Sequence, residues 1–325
     1  MEFSYPVGLI TNVNAKRIRK TIINASDLYQ ILGGESACLH RETATLDELK
    51  EAVREFREKK IQIILSNGGD GTHQQLINTL IDNFRDYSPF IVPLKSGTMN
   101  MLAKNLDLNL SPYDTVEWIK RLMEKKEKPV ISVRSLLQVD SPELKKPRYG
   151  FVFIAGCGFK VLNLYYSYPE GGKRSASKAI ISSMMGWLTG NKMSKNIYTY
   201  TPSTIMIDDK KFEFPYLITL ASSLEKLVMG FSPFALKHVN HDGFFFMIDG
   251  EPMTKNYNIF KFFKLNDEEV WKEKRLVSRG KVLKLDVDGG FSIDGELIKL
   301  NGGSGLTPVT VTRGPKINFI TPIAG

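Results

Sequence analysis

The feature that most limits how this chain can fold is a glycine-rich loop between two apolar segments. Residues 67–72 read Asn-Gly-Gly-Asp-Gly-Thr and follow the short, β-branched segment 61–65. Beyond the loop, Leu76, Ile77, Leu80 and Ile81 recur at helical spacing. A buried strand, a tight loop and a helix in this order are typical of a parallel α/β sheet.

The same arrangement is repeated along the N-terminal part of the chain. Segment 90–93 predicts a strand, residues 96–100 (Ser-Gly-Thr-Met-Asn) form a second loop, and a helix is predicted from about Met99. Segment 7–10 predicts the first strand, and Thr45 and Glu48 have capping-box spacing ahead of a helix. Alternating strands and helices predict an N-terminal parallel α/β domain over residues 1–130.

From about residue 130 the pattern changes to short, alternating, β-rich segments separated by Gly, Asp, Asn and Pro. They lie at 149–155, 203–207, 216–221, 244–248 and 282–287. We expect a second, mostly antiparallel domain over residues 131–308, with residues 309–325 returning to the first domain. The predicted fold class is therefore α/β followed by mostly β.

The composition and net charge of the chain indicate which kinds of molecule it could bind. The chain is 42% hydrophobic and 24% charged, with a net charge of +9, which favours anionic partners such as nucleotides, a membrane surface or nucleic acid. The basic residues are spread along the chain, so a solvated basic surface is an equal alternative. The sequence has no run of ~20 apolar residues and no signal-peptide pattern. Its two cysteines, Cys38 and Cys157, are expected to be free thiols. These features favour a cytoplasmic protein.

The two loops carry the strongest chemical signal. Glycines let a backbone turn sharply and approach a ligand closely, and the following helix presents its positive N-terminus to phosphate. Asp70 could orient a metal-bound or hydrated phosphate, and Thr72 supplies a hydroxyl. Taken alone, the loop at residues 68–72 could instead be a plain strand-to-helix turn with no ligand. Two such loops at one sheet edge predict an anionic ligand.

A third motif, Asp294-Gly295-Glu296, lies far downstream. Two carboxylates on a tight glycine turn can serve as a base and the group that orients it. Phosphoryl transfer needs positioning, charge neutralisation and acceptance of the acceptor's proton, which such a pair could supply. The alternative is a β-turn with exposed acids.

In order and separation, these three motifs resemble the catalytic family of diacylglycerol kinases. That family includes bacterial lipid kinases, sphingosine kinases and ceramide kinases, and is more distantly similar to NAD kinases. The resemblance covers nearly the whole chain and extends to Asn12 after the first strand, the Gly-Phe turn at 156–159, Asp242-Gly243 and the last strand at 319–322.

The resemblance implies a nucleotide cleft between the N-terminal domain and a β-sandwich-like C-terminal domain, and it implies transfer of the ATP γ-phosphoryl group to a lipid hydroxyl. It implies ATP and Mg²⁺ as cofactors, Asp294 as general base and Glu296 beside it. The nucleotide-binding residues it implies are Asn12, Gly68, Gly69, Asp70, Gly71, Thr72, Ser96, Gly97, Thr98 and Asn100.

Several positions depart from the family pattern. Acids that related bacterial lipid kinases link to Mg²⁺ are replaced by Met101, Ser132 and the pair Phe245-Phe246, so the metal ligands are not predicted. Lys160 also replaces a common Asp, and Ser222-Ser223 stands where Asn is usual.

Weaker signals leave alternatives open. The basic segment 173–178, followed by apolar residues to Leu188, could be an interfacial helix that contacts an anionic membrane, or a core helix. His238, His241 and Asp242 could bind metal or be polar surface. Besides a lipid kinase, a kinase of a soluble acceptor and a catalytically weak nucleotide- or lipid-binding protein remain open. We expect no nucleic-acid partner, and a homodimer is a further expectation.

Overall fold

The structure, a computed structural model, describes residues 7–15, 18, 22–125, 129–166, 182–183, 192–227, 233–234, 243–252 and 269–322. The chain divides into two compact units. The first comprises Met1–Arg134 with Lys316–Gly325, and the second comprises Ser135–Pro315.

The first unit is built on parallel strands. Its own strands are β1 (Val7–Asn12), β2 (Cys38–Thr43), β3 (Ile63–Gly68) and β4 (Phe90–Lys95). They lie in the order β2-β1-β3-β4, every pair is parallel, and Phe319 of the final strand β17 (Leu306–Thr321) pairs in parallel with Ile91. All four strands therefore end at one edge of the sheet, where parallel α/β sheets bind ligands.

Helices connect these strands. They are α1 (Ala25–Ile31), α2 (Leu46–Glu58), α3 (Asp70–Asn83), α4 (Met101–Asn105) and α5 (Pro112–Glu124). The capping box of Thr45 and Glu48 is confirmed at the start of α2. Helix α2 buries Leu49, Val53 and Phe56, which recur at helical spacing.

One face of this sheet packs against α1 and α5 around an apolar cluster. Leu9, Leu65 and Leu94 contribute from adjacent strands, Leu28 from α1 and Ile119 from α5. All five side chains are fully buried, which fixes the strands to the helices through the hydrophobic effect.

The second unit is almost entirely antiparallel. Its strands include β6 (Arg148–Gly150), β7 (Val152–Gly156), β8 (Thr204–Ile207), β9 (Lys210–Glu213), β10 (Ile218–Ser222), β11 (Phe244–Asp249), β12 (Val270–Lys272), β13 (Arg275–Gly280), β14 (Val282–Asp288), β15 (Gly290–Ile293) and β16 (Glu296–Lys299). Seven of them form one sheet in the order β12-β13-β11-β10-β7-β15-β16. A second set joins β9, β8, β14 and the first part of β17 to β5 (Val130–Asp140) and β6.

One core fills the space between these two sets of strands. It takes Phe153, Phe246 and Phe291 from the seven-stranded sheet, and Leu285 and Val311 from the other set. In β14 apolar residues alternate with Lys284 and Asp286, as a strand with one buried face requires. The predicted fold class, parallel α/β followed by an antiparallel, sandwich-like β region, is confirmed.

Two helices of the second unit refine the sequence reading. The expected Gly-Phe turn at 156–159 instead opens helix α6 (Cys157–Tyr166), because Gly156 takes a positive φ of 69° at the end of β7 and the chain then coils. Helix α7 covers Lys192–Ile197. Apart from residues 182–183, the predicted helix around 175–188 lies outside the described residues, and so does the trio of His238, His241 and Asp242. Across the ranges described, no helix is long and apolar enough to cross a bilayer.

Candidate active site

The two predicted loops meet at the carboxyl edge of the first unit's sheet. Gly69 is the N-cap of α3, and a Cβ placed on Gly97 would lie 2.5 Å from the Cα of Gly69. No side chain fits between backbones at that separation. Glycine at position 97 is therefore required for the loops to pack against each other.

The glycines of the two loops also serve the packing between the loops. We expected them to allow a sharp turn and a close approach to a ligand; the φ values of Gly68, Gly69, Gly71 and Gly97 lie outside the positive region, so none of them is required for a left-handed backbone. They are needed where a side chain would collide with a neighbour, as between Gly97 and Gly69. Gly71 is the exception, because a Cβ there would meet no heavy atom within 4 Å.

Asp70 ties the first loop to the second. Its Oδ1 accepts a hydrogen bond of 3.1 Å from the backbone N–H of Leu102, in the first turn of α4. Asn100 then closes the second loop from within: its Oδ1 accepts from Gly97 N at 2.9 Å and its Nδ2 donates to Gly97 O at 3.0 Å. Asn100 adopts φ 51°, a left-handed conformation that Asn tolerates well.

Asn12 joins the end of β1 to the start of α3. Its Nδ2 donates to Thr72 Oγ1 at 2.9 Å, and its Oδ1 accepts from Asn14 N at 2.9 Å. The Thr72 hydroxyl is therefore engaged within the protein, and Thr72 itself is buried. The structure thus brings together all ten predicted nucleotide-binding residues, which come from the ends of β1, β3 and β4.

These ten residues differ in their exposure to solvent. Gly71 and Thr98 are exposed, whereas Ser96 is fully buried and its hydroxyl donates to Asn67 Oδ1 at 2.5 Å. A ligand above the loops would meet backbone N–H groups at the start of α3, where the helix dipole favours an anion. Ser96 can support such a ligand only from beneath the loop.

Sequence reasoning missed three polar residues under the loops: Thr11, Asn67 and His73. Each ends an otherwise apolar strand or interrupts an apolar helix face, which was the available signal. His73 is buried and its Nδ1 lies 2.8 Å from Ser66 Oγ. Burial lowers the pKa of His73 to about 4, while the nearby Asp70 carboxylate opposes that shift.

In the second unit, Asp294 and Gly295 form the two-residue turn between β15 and β16. Their φ values of 49° and 92° are those of the tight hairpin turns that favour Asp-Gly. The Asp294 carboxylate turns back onto the chain: Oδ1 accepts from Phe151 N at 2.9 Å and from Val152 N at 2.8 Å. The predicted base is therefore held by backbone donors at the start of β7.

Glu296 lies beside this turn and is exposed. Tyr166, at the end of α6, donates from Oη to the Gly295 carbonyl at 2.6 Å. Burial raises the pKa of Tyr166, and the nearby Tyr165 and Glu296 raise it further, so its hydroxyl stays protonated as a donor. The turn is thus fixed from two sides, by the N-terminus of β7 and by α6.

The same carboxylate arrangement occurs once more among the described residues. Asp208, in the turn between β8 and β9, has φ 51°, and its Oδ1 accepts from Lys281 N and Val282 N, both at 2.9 Å. The backbone N–H of each Asp also donates to a carbonyl of the neighbouring strand: Asp208 N to Val282 O and Asp294 N to Val152 O, both at 2.9 Å. Asp294 therefore has a structural counterpart against which its role can be tested.

The positions that depart from the family pattern offer no carboxylates. Met101, Ser132 and Phe246 are all buried. Lys160, where an acid is common, donates from Nζ to Asp288 Oδ2 at 2.8 Å. Within the described ranges, no group of three or more His, Cys, Asp or Glu side chains could hold a metal ion.

The fold defines the class of protein: a parallel α/β unit with two packed glycine loops, followed by an antiparallel β unit. Residues 8–134 match the family model of the diacylglycerol kinase catalytic domain. Over those residues the resemblance inferred from the sequence is confirmed, and the match supports phosphotransfer of the kinase type.

Solved structures agree with this fold along the whole chain. A diacylglycerol kinase from Bacillus anthracis strain Sterne is 14% identical, with a TM-score of 0.64 and 98% of each chain covered. A second structure from that organism, provisionally assigned as a diacylglycerol kinase, is 15% identical, with a TM-score of 0.65 and the same coverage. At these identities the likeness shows the fold alone. A search among curated proteins found no match.

Proposed function

We propose that this chain is a lipid kinase that transfers the γ-phosphoryl group of ATP to a lipid hydroxyl. The observation that carries the proposal is the packing of two glycine loops at the carboxyl edge of a parallel sheet, with open space over Gly71. Backbone N–H groups at the start of α3 would bind the phosphates there, and the helix dipole would favour their charge.

A lipid acceptor is supported by the family match over residues 8–134, because the diacylglycerol kinases for which that domain is named act on a lipid alcohol. The net charge of +9 would draw the protein to anionic membranes, where such an acceptor resides. Peripheral membrane contact is part of this proposal.

Asp294 would act as the general base. Backbone donors hold both oxygens of its carboxylate: Phe151 N reaches Oδ1 and Oδ2 at 2.9 Å, and Val152 N reaches Oδ1 at 2.8 Å. Because these donors fix the carboxylate, little reorganisation would be needed when the acceptor's hydroxyl loses its proton. Glu296, exposed beside the turn, would orient the base.

Mg²⁺ enters the proposal only as the ion that ATP carries. No group of three or more His, Cys, Asp or Glu side chains that could hold a metal ion occurs in the part of the chain described here, and the side chains of Met101, Ser132 and Phe246 offer one hydroxyl and no carboxylate. Asp70 has a second carboxylate oxygen besides the one that accepts from Leu102, and that oxygen could meet the hydrated ion. The bound ion would neutralise charge on the transferred group.

A catalytically weak nucleotide- or lipid-binding protein is the second candidate. The observation that favours it is the Lys160–Asp288 ion pair, which puts a cation where an acid is common in the family. In that case the chain would bind ATP with no turnover on any lipid.

The test is turnover of radiolabelled ATP against a lipid panel, with NAD as a soluble control acceptor. We expect phosphorylation of a lipid and none of NAD. Asp294→Asn should lower kcat by ~10²–10⁴-fold with ATP binding retained, because Asn keeps the shape but cannot take the proton. Glu296→Gln should have a smaller effect.

Asp208→Asn is the matched control, because Asp208 repeats the turn conformation and backbone contacts of Asp294. If both variants lose stability alike but only Asp294→Asn loses turnover, the carboxylate acts in chemistry. Equal turnover in wild type and Asp294→Asn would contradict the role of base. ATP binding without phosphorylation of any lipid would favour the second candidate.

A further inference from the structure

A chain of buried polar side chains crosses the sheet of the first unit directly beneath the loops. Thr11, Asn67 and Ser96 follow on β1, β3 and the end of β4, and each is fully buried. Ser96 Oγ donates to Asn67 Oδ1 at 2.5 Å, and Asn67 Nδ2 donates to Thr11 Oγ1 at 3.2 Å. His40 on β2 completes the chain, with Nε2 at 3.1 Å from Thr11 Oγ1.

Strand register explains why these residues meet. Thr11 pairs with Asn67 across β1 and β3, and Asn67 pairs with Leu94 across β3 and β4. Side chains two residues apart on a strand share a face, so Ser96, two residues after Leu94, reaches the side of the sheet that carries Asn67. The same face is apolar one step earlier, at Leu9, Leu65 and Leu94.

Each polar side chain of this row has a partner. Ser96 donates to Asn67, and the Asn67 amide donates to Thr11. His40 Nε2 lies within hydrogen-bond distance of Thr11 Oγ1, and the tautomer of the ring sets which of the two atoms donates. Burial lowers the pKa of His40, so its ring is neutral near pH 7. Satisfied buried polar groups of this kind rigidify and specify one arrangement, because each lost partner leaves a buried group unpaired.

Ser96, at one end of this row of hydrogen bonds, is placed to fix the second loop. Ser96 directly precedes Gly97, whose backbone lies against Gly69, and Gly97 is bonded to Asn100. A shift of Ser96 would therefore change the separation of the two loops. A displacement of 1 Å in a phosphate-binding site is enough to reduce binding or turnover substantially.

We propose that Asn67 and Ser96, supported by Thr11, are positioning residues that set the spacing of the two phosphate-binding loops. They act through the loop backbones and do not touch the ligand. This inference rests on the proposed nucleotide binding at those loops.

The test compares ATP binding and thermal unfolding in Ser96→Ala, Asn67→Ala and the double variant. Each single substitution should weaken the Kd for ATP by about 10-fold, because each removes the buried Ser96–Asn67 hydrogen bond; Asn67→Ala also removes the bond to Thr11. The double variant should be little weaker than either single variant, because both remove the same link.

Thr307→Val is the matched control. Thr307 is buried in the second unit, where its Oγ1 donates to Glu143 Oε1 at 3.0 Å and accepts from Asn301 Nδ2 at 2.7 Å, so the variant also loses a buried hydroxyl and its contacts. It should lower Tm and leave the Kd for ATP within twofold of wild type. Unchanged ATP binding in both Ser96→Ala and Asn67→Ala, or an equal loss in Thr307→Val, would overturn the inference.

Amide hydrogen exchange in the ligand-free protein separates this inference from the proposed function. Exchange at residues 97–100 should rise in Ser96→Ala and Asn67→Ala and stay unchanged in Thr307→Val. If wild type fails to bind ATP but that pattern is seen, the proposed function fails and the positioning role stands. If wild type binds ATP and loop exchange is unchanged in both variants, the positioning role fails alone.

Discussion

At the scale of single residues, Gly71 and Gly97 serve the loops in different ways. A Cβ on Gly71 meets no atom within 4 Å, whereas one on Gly97 would lie 2.5 Å from Gly69 Cα. Gly71→Val should therefore fold with a free energy of unfolding within about 1 kcal/mol of wild type, since a β-branched residue and glycine differ little in a helix. It should still weaken the Kd for ATP at least ~10-fold, because the side chain would occupy the space that phosphate needs.

Gly97→Ala is the comparison for that prediction. It should lower both stability and ATP affinity, because the loops must move apart to admit the methyl group. Titration calorimetry and denaturant unfolding of both variants provide the measurement. If Gly71→Val binds ATP as tightly as wild type does, the phosphates do not bind at the start of α3.

At the scale of elements, Asp70 couples helix α3 to helix α4. Its carboxylate accepts from Leu102 N at 3.1 Å, so the first turn of α4 depends on a side chain from another helix. Asp70→Asn keeps an acceptor oxygen and should preserve the exchange protection of the Leu102 amide, which Asp70→Ala should lose. Both should impair phosphoryl transfer, because neither supplies a carboxylate. Loss of Leu102 protection in Asp70→Asn would show that the negative charge itself holds α4.

At the scale of the whole molecule, buried histidine links stability to pH. Burial lowers the pKa of His73 from 6.5 to about 4, so the folded state binds its proton less readily than the unfolded state. The stability from this group is present above pH 6.5 and is lost as the pH falls from 6.5 toward 4, by an amount on the order of 3 kcal/mol. Asn in place of His73 removes the titration and can keep the contact with Ser66.

Urea unfolding of wild type and His73→Asn at pH 7 and pH 4.5 measures this effect. The carboxylates titrate in both proteins, so the difference between them isolates the histidine. We expect wild type to lose more stability than His73→Asn over this range. Equal losses in the two proteins would mean that His73 does not control the acid response.

Local signals were sufficient for several elements of the first unit and for the residue types at the candidate site. The capping box of Thr45 and Glu48 depends on neighbours three residues apart, and the Gly-rich loops are contiguous in the chain. The meeting of the two glycine loops at one sheet edge also followed, because parallel strands joined by helices end at the same edge. For these reasons the α/β character of the first unit and the places of its two loops could be predicted without a structure.

The roles of those residues depended on contacts between distant parts of the chain. Asp70 meets Leu102, Asn67 meets Thr11 and Asp294 meets Phe151, at separations of 32, 56 and 143 residues. Such hydrogen bonds follow from strand register and loop packing, which leave no local pattern in a sequence. The sequence by itself thus determined the elements and the chemistry available at the loops, because periodicity and turn residues act locally. Only the tertiary structure decided that Ser96 points inward, that glycine is needed for close packing and that Asp294 caps a neighbouring strand, because each depends on what another segment places beside it.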